Sequence, residues 1–169
     1  MRGSSGPVPF PASFPSLASD GFEKTSDEDS VYNCIAWAAG DVDHWWWPDR
    51  VWPSTAPRAE TLPAFVAAFG AIGYAMCQDG RYEFAYEKIA IYCSLSGVPT
   101  HAARQLDNGC WTSKLGEFWD IQHSTPRGVE GPQYGIAVQF LRRPVPQRRP
   151  ATRFWFWSHS WFRERSPLR

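Results

Sequence analysis

The chain has 169 residues, of which 43% are hydrophobic and 16% aromatic, so it is long enough for one domain with a substantial core. The 17 Lys and Arg balance the 17 Asp and Glu, which excludes a globally basic nucleic-acid-binding protein and an acidic disordered chain. The charge is uneven, because residues 142–169 contain eight Arg and one Glu while residues 1–141 carry a net charge of −7. The basic 142–169 tail predicts an acidic or anionic partner, and the body of the protein is one candidate.

The ends of the chain differ in composition from its middle. Residues 1–19 contain four prolines among small residues and predict an extended arm. We expect a single domain over residues 20–144, followed by a basic aromatic tail over 145–169. No run approaches the about 18 apolar residues of a membrane helix, and no N-terminal stretch has signal-peptide character. These observations predict a cytoplasmic protein, and they leave signal-less export open.

The first predicted helix lies between Asn33 and Gly40, since Asn is a good N-cap and Gly a good C-terminal stop. Cys34 lies in its first turn. The helix macrodipole and free backbone N–H groups stabilise a thiolate at such a position, so we expect a lowered pKa for Cys34. A tryptophan-rich loop follows, and we expect it to cover the core with at least one ring, Trp46 or Trp47, at a substrate groove.

The remaining elements follow from periodicity and turn signals. Apolar residues at helical spacing predict a second helix from Leu62, with Thr61 as its cap. Four strands are then predicted as an antiparallel meander, over residues 88–92, 100–106, 110–115 and 134–141. The Asp107-Asn108-Gly109 turn closes the central hairpin, and folding the chain about Asn108 places Arg104 opposite Thr112. Helices followed by a meander indicate an α+β layout.

A cysteine and a histidine in this arrangement suggest nucleophilic catalysis. His101 begins a strand on which the Cys34 helix is expected to pack, and an imidazole can take the proton of a thiol that attacks a carbonyl. A third polar group should hold the imidazole ring. Asp120 is the first candidate, because the chain after the third strand stays near the His101 end of the sheet. His123 is the second, and one helical turn would place it on the same face as Asp120.

Two further side chains are candidates for substrate binding. Lys114 could stabilise a developing oxyanion or a substrate carboxylate, and Asn33 could donate to the oxyanion in addition to its role as a cap. The other cysteines, Cys77, Cys93 and Cys110, are expected to be small buried hydrophobes. No CxxC pair occurs and no second histidine lies at ligand spacing from His44, so we predict no metal site and no cofactor.

Residues 32–38, YNCIAWA, resemble the nucleophile helix of papain-like cysteine peptidases of the NlpC/P60 and transglutaminase-like branch. Residues 88–92 and 100–105 resemble the first two core strands of that branch. More closely, residues 20–144 are similar to a poorly characterised bacterial domain family with NCIAWA, WWP, THAARQL and WTSKLG…DI.H blocks. The resemblance implies a papain-like α+β fold, a nucleophile helix packed on a small antiparallel sheet, with Cys34 as nucleophile and His101 as base. That branch usually has His, Asn or Gln in the third role on the strand after the histidine, where this chain has Ser113 and Lys114.

The expected function is therefore thiol-dependent hydrolysis of an amide or ester bond, as a peptidase or amidase acting on a peptide or amide-bearing substrate. Cys34 would attack and His101 would move the proton, without a cofactor. Two alternatives stay open. One is a non-catalytic binding or immunity module on a papain-like scaffold, and the other is a delivered effector with deamidase or acyltransferase activity. No clear nucleic-acid-binding motif occurs in the chain.

Overall fold

The computed structural model describes residues 14–145. Its helices are α1 (Pro15–Asp20), α2 (Cys34–Ala39) and α3 (Leu62–Gly70), and a 3₁₀ turn covers Pro126–Val129. The strands are β1 (Phe22–Lys24), β2 (Ala75–Cys77), β3 (Tyr86–Cys93), β4 (Pro99–Gln105), β5 (Trp111–Lys114), β6 (Asp120–His123) and β7 (Ile136–Pro144). All seven strands form one antiparallel sheet in the order β1-β6-β5-β4-β3-β7-β2.

This architecture overturns the papain-like α+β fold predicted from the sequence, because a seven-stranded sheet dominates and the helices are few and short. One error lies in the predicted meander, because the last predicted strand, β7, pairs with β3 and does not follow β5 in the sheet. The other lies in three strands that were not predicted. β1 and β2 have three residues each and β6 has four. Segments of three or four residues are too short to show the alternation of apolar and polar residues that identifies a strand. They are strands because neighbouring strands pair with them in the sheet.

Where the signals were local, the predictions are confirmed. The Oδ1 atom of Asn33 accepts the backbone N–H of Ala36 at 3.0 Å, and Gly40 ends α2 with φ of 85°. The second helix, α3, occupies the predicted position after Thr61, although the Thr61 side chain makes no cap hydrogen bond. The central hairpin has the predicted register, with Arg104 opposite Thr112.

Two hydrophobic clusters cover the two faces of the sheet. Ile89 and Ile91 of β3 belong to the cluster under α2 and α3, which we call the helix-side core. Ala90 and Tyr92 belong to the other, which we call the loop-side core because α1 and the 3₁₀ turn pack there. Successive side chains of a strand point to opposite faces, so β3 and β4 contribute to both cores.

The predicted domain boundaries fall partly outside the described residues. Residues 1–13 of the predicted arm and residues 146–169 of the predicted tail lie there. The described part of the 1–19 arm forms α1, and Phe14 and Leu17 are buried in the loop-side core, so the body begins before residue 20. Within residues 14–145, no helix has the length and apolar character that crossing a membrane requires.

Candidate active site

Cys34 is the first residue of α2 and lies against the middle of the sheet. Its side chain is only 7% exposed. The backbone N–H of Ala102 in β4 favours the thiolate form and lowers the pKa of Cys34, and the N–H groups of Ile35 and of Cys34 itself act in the same direction. The thiol is therefore held next to the peptide unit that joins His101 to Ala102.

The β4 backbone is open to the thiol at this point because β4 and β5 diverge. Their ladder consists of the pairs Arg104–Thr112 and Gln105–Trp111, and the first half of β4 is not part of it. On its other side that half pairs normally with β3, as in Ala102–Ile91. Backbone N–H groups lie in the plane of a sheet. The N–H of Ala102 that acts on the sulfur therefore lies at the free edge of β4, and Cys34 itself belongs to the helix-side core.

Burial decides the ionisation state of the Cys34 thiol. The helix start and the backbone N–H groups lower its pKa, as the sequence predicted, but loss of water around the sulfur has the larger effect. The net result raises the pKa of Cys34 to about 11. The predicted low pKa is thus wrong, and the thiol is protonated at neutral pH and needs a base to react.

His101 lies on the loop-side face of β4, is completely buried, and starts a chain of hydrogen bonds. Its Nε2 atom lies 3.0 Å from Oγ of Ser113, and the same Oγ lies 2.9 Å from Nε2 of His123. The chain ends at the backbone carbonyl oxygen of Thr125, 2.7 Å from Nδ1 of His123. Three strands, β4, β5 and β6, thus hold the imidazole of His101 in one orientation.

The carbonyl oxygen of Thr125, at the end of this series of hydrogen bonds, determines which nitrogen of each imidazole carries the proton. A carbonyl oxygen only accepts, so His123 carries its proton on Nδ1 and accepts on Nε2. Ser113 must then donate to His123 and accept from Nε2–H of His101. Nδ1 of His101 is left as a bare acceptor, and this buried atom has no hydrogen-bond partner in the described part of the chain.

Both imidazoles are neutral at physiological pH. Burial lowers the pKa of His123 to about 4, against the opposing effect of the Thr125 carbonyl. Burial also lowers the pKa of His101 well below its usual value, and His123 adds to this shift. The thiol of Cys34 and the imidazole of His101 are therefore both neutral, and no hydrogen bond joins them.

Asp120, the first candidate for the orienting group, does not bind His101. Its Oδ2 atom accepts from the hydroxyl of Tyr32 at 2.8 Å, and its backbone N–H donates to Ser26 at 2.8 Å. The sequence predicts one helical turn that contains residues 120 and 123, but both belong to strand β6. Residues three apart in a strand point to opposite faces, so only His123 shares the face of His101.

The candidate binding residues Asn33 and Lys114 are both engaged elsewhere. Oδ1 of Asn33 caps α2, and one of its two Nδ2–H groups donates to the carbonyl oxygen of Trp46 at 2.7 Å, so this buried side chain joins α2 to the tryptophan-rich loop. The Lys114 ammonium donates to the carbonyl oxygen of Phe118 and lies 4.9 Å from the ring centre of Tyr32. Lys114 is completely buried, so it cannot approach a substrate without rearrangement.

The two tryptophans that were expected at a groove serve mainly to cover the helix-side core. Trp46 is 9% exposed, and its indole N–H donates to Asp41 at 2.8 Å. The ring of Trp47 packs edge-on against Phe65 in the helix-side core, and its indole N–H donates to Glu60 at 2.9 Å. These contacts support the covering role that the sequence predicts for most of the loop.

One residue of the site was missed as a participant. The ring of Tyr134 stacks on the imidazole of His101, with centroids 4.0 Å apart and planes 7° apart. The sequence pattern predicts Tyr134 only as the start of the last strand. The flanking glycines, Gly131 and Gly135, were the available signal, because they indicate a tight loop in which a side chain is presented separately from the strand.

The structure offers no evident place for a metal ion near these residues. Among residues 14–145, no group of three or more His, Cys, Asp or Glu side chains comes together. The chemistry available is therefore that of a buried thiol, a bare imidazole nitrogen and backbone N–H donors.

Comparison with known proteins identifies the family of the chain. No curated protein and no solved structure matches it. A family model described as a domain of unknown function, DUF7689, matches residues 23–142. The match runs from β1 into β7 and includes Cys34, His101, Ser113, His123 and Tyr134. The chain therefore belongs to the DUF7689 family.

Proposed function

We propose that the protein is a cysteine hydrolase that cleaves an amide or ester bond, with Cys34 as the nucleophile and His101 as the general base. The observation that carries this proposal is the bare Nδ1 of His101, left without a partner by the Ser113–His123 chain. Nδ1 is the imidazole nitrogen nearer the backbone. The adjoining N–H, that of Ala102, is the backbone group that most lowers the pKa of the Cys34 thiol.

The pKa values indicate how the thiol would be activated. A thiol with a pKa of about 11 next to a weakly basic imidazole does not ionise at rest. The proton therefore moves from Sγ to Nδ1 of His101 as the sulfur attacks the substrate carbonyl. The S–C bond forms and the carbonyl π electrons move to oxygen. Backbone N–H groups around the sulfur, those of Ala102 and Ile35, are the candidate donors to this oxyanion.

The second half of the reaction reverses the proton movement. The tetrahedral intermediate collapses, the bond to the amine or alcohol breaks, and Nδ1–H of His101 protonates the leaving group. A thioester on Cys34 is left. Water then attacks the thioester carbonyl and gives a proton to Nδ1 of His101. The C–S bond breaks, Nδ1–H of His101 returns the proton to Sγ, and the carboxylic acid is released. Throughout both halves, Ser113 and His123 hold Nε2–H of His101 and so keep Nδ1 available.

The test is acylation of the intact protein by p-nitrophenyl acetate, with the modified cysteine located by peptide mass spectrometry. We expect acetylation at Cys34 followed by turnover. His101→Gln should slow acetylation of Cys34 by about 100-fold or more, the usual contribution of a general base. Ser113→Ala should slow it less, because it removes the chain that orients His101 but leaves the imidazole itself in place.

Cys110 provides the matched control, because it is a partly exposed cysteine outside the site. Cys110→Ala should leave acetylation of Cys34 and turnover unchanged. If Cys34 is acetylated no faster than Cys110, or if His101→Gln makes no difference in a folded protein, the proposal is refuted. The result would then favour a protein that binds without catalysing.

A further inference from the structure

We infer that Tyr134 is a positioning residue that stabilises the protonated form of His101 through the face of its aromatic ring. This inference rests on the proposed function. The two rings are almost parallel, with an interplanar angle of 7° and a centroid separation of 4.0 Å. Tyr134 is 8% exposed and His101 is completely buried, so the stacked surface is shielded from water.

The need for such support follows from what surrounds His101. The titratable groups that face it are Cys34 near the β4 edge, Tyr92 from β3, His123 through Ser113, and Tyr134. None of them carries a negative charge at neutral pH, because burial raises the pKa of Cys34, Tyr92 and Tyr134 and lowers that of His123. The carboxylate of Asp120, which could have balanced an imidazolium, is bound to Tyr32 instead.

Among residues 14–145, the face of Tyr134 lies directly over the imidazole of His101 and can act as an electrostatic partner for a cation there. The π quadrupole attracts a cation placed over the ring, and the attraction grows when the pair is desolvated. When His101 takes the thiol proton, the positive charge arises directly over the face of Tyr134. The ring thus provides part of the stabilisation that a carboxylate gives to the imidazolium of a Ser-His-Asp triad.

The backbone holds Tyr134 in place, which argues against an incidental contact. Gly131 and Gly135 exchange two hydrogen bonds, of 2.9 and 2.7 Å, and close a tight loop around the tyrosine. The carbonyl oxygen of Tyr134 accepts from the hydroxyl of Thr100 at 2.5 Å, and Thr100 directly precedes His101. The same segment of β4 therefore fixes both members of the stack.

The experiment measures alkylation of Cys34 by iodoacetamide in the full chain at neutral pH, again with the site located by peptide mass spectrometry. Tyr134→Phe keeps the ring and should alkylate within about twofold of the wild-type rate. Tyr134→Leu keeps most of the apolar volume but removes the π face, and we expect it to be about tenfold slower, in line with a desolvated cation–π contact. Phe14→Leu is the packing control, since Phe14 contacts Tyr134 with centroids 5.1 Å apart on the same loop-side core.

The outcomes separate this inference from the proposed function. The inference is supported if Cys34 is alkylated slowly in Tyr134→Leu but at nearly the wild-type rate in Tyr134→Phe and Phe14→Leu. Equal rates in Tyr134→Leu and Tyr134→Phe overturn it, and so does an equal loss in Phe14→Leu, which would indicate loosened packing. In either of those cases a slow His101→Gln variant would still support the proposed function. An unaffected His101→Gln variant would overturn both.

Discussion

Acidification should destabilise the protein through His123, and the size of the effect follows from the structure. In the unfolded chain the imidazole has a pKa of 6.5, whereas burial lowers it to about 4 in the folded protein. Between these values the unfolded state binds a proton that the folded state does not. Stability is therefore present above pH 6.5 and is lost as the pH falls toward 4. The free energy of unfolding falls by about 3 kcal/mol in total, and about 2 kcal/mol of this is lost by pH 5.

The assay is urea unfolding followed by tryptophan fluorescence at several pH values between 7.5 and 5, for the wild type and for His123→Gln. The variant removes the titration of His123 and leaves the other groups in place, including His101, whose pKa is shifted in the same direction. Between pH 7.5 and 5, the wild type should lose about 2 kcal/mol more than the variant. If the two curves run parallel, His123 is not held neutral, and the proton assignment that leaves Nδ1 of His101 bare is refuted.

Two further predictions concern the backbone around the site. Gly135→Ala should destabilise the protein by at least about 3 kcal/mol more than Gly97→Ala, because both have positive φ but only a Cβ at Gly135 would lie 1.8 Å from the carbonyl oxygen of Cys93. Thermal unfolding of the two variants tests this, and equal midpoints would contradict it. Asn33→Ala should cost about 2 kcal/mol in urea unfolding, because it removes the α2 cap and the bond to Trp46, whereas Asn33→Asp should retain the cap. A loss below about 0.5 kcal/mol would mean that the cap is dispensable.

The sequence predicted correctly those features of the fold that a few neighbouring residues determine, namely the ends of a helix and the register of a hairpin. Asn33 and Gly40 specify α2 by themselves, since a cap acceptor and a left-handed C-terminal glycine act over one or two turns. The Asn108-Gly109 turn fixes the register of its hairpin in the same way. These two elements brought Cys34 and His101 to the same region of the sheet, and that part of the site was predictable.

The rest of the site depends on pairing between segments that are distant in sequence. Asp120 and His123 point to opposite faces because β6 is a strand, and β6 is a strand because β1 and β5 pair with it on either side. No local pattern in four residues reveals this. The pKa of Cys34 was mispredicted for a related reason, since a helix start is a local feature and burial is a property of the whole fold.

The divergence of β4 from β5 makes the proposed reactive pair dependent on both halves of the molecule. Cys34 belongs to the helix-side core, whereas the ring of His101 packs with Tyr92 and Tyr134 of the loop-side core. If only the helix-side core had formed, Cys34 would be in place without its proposed base. If only the loop-side core had formed, His101 would be in place without the thiol. Acylation of Cys34 with His101 as its base would therefore begin only when both cores have formed.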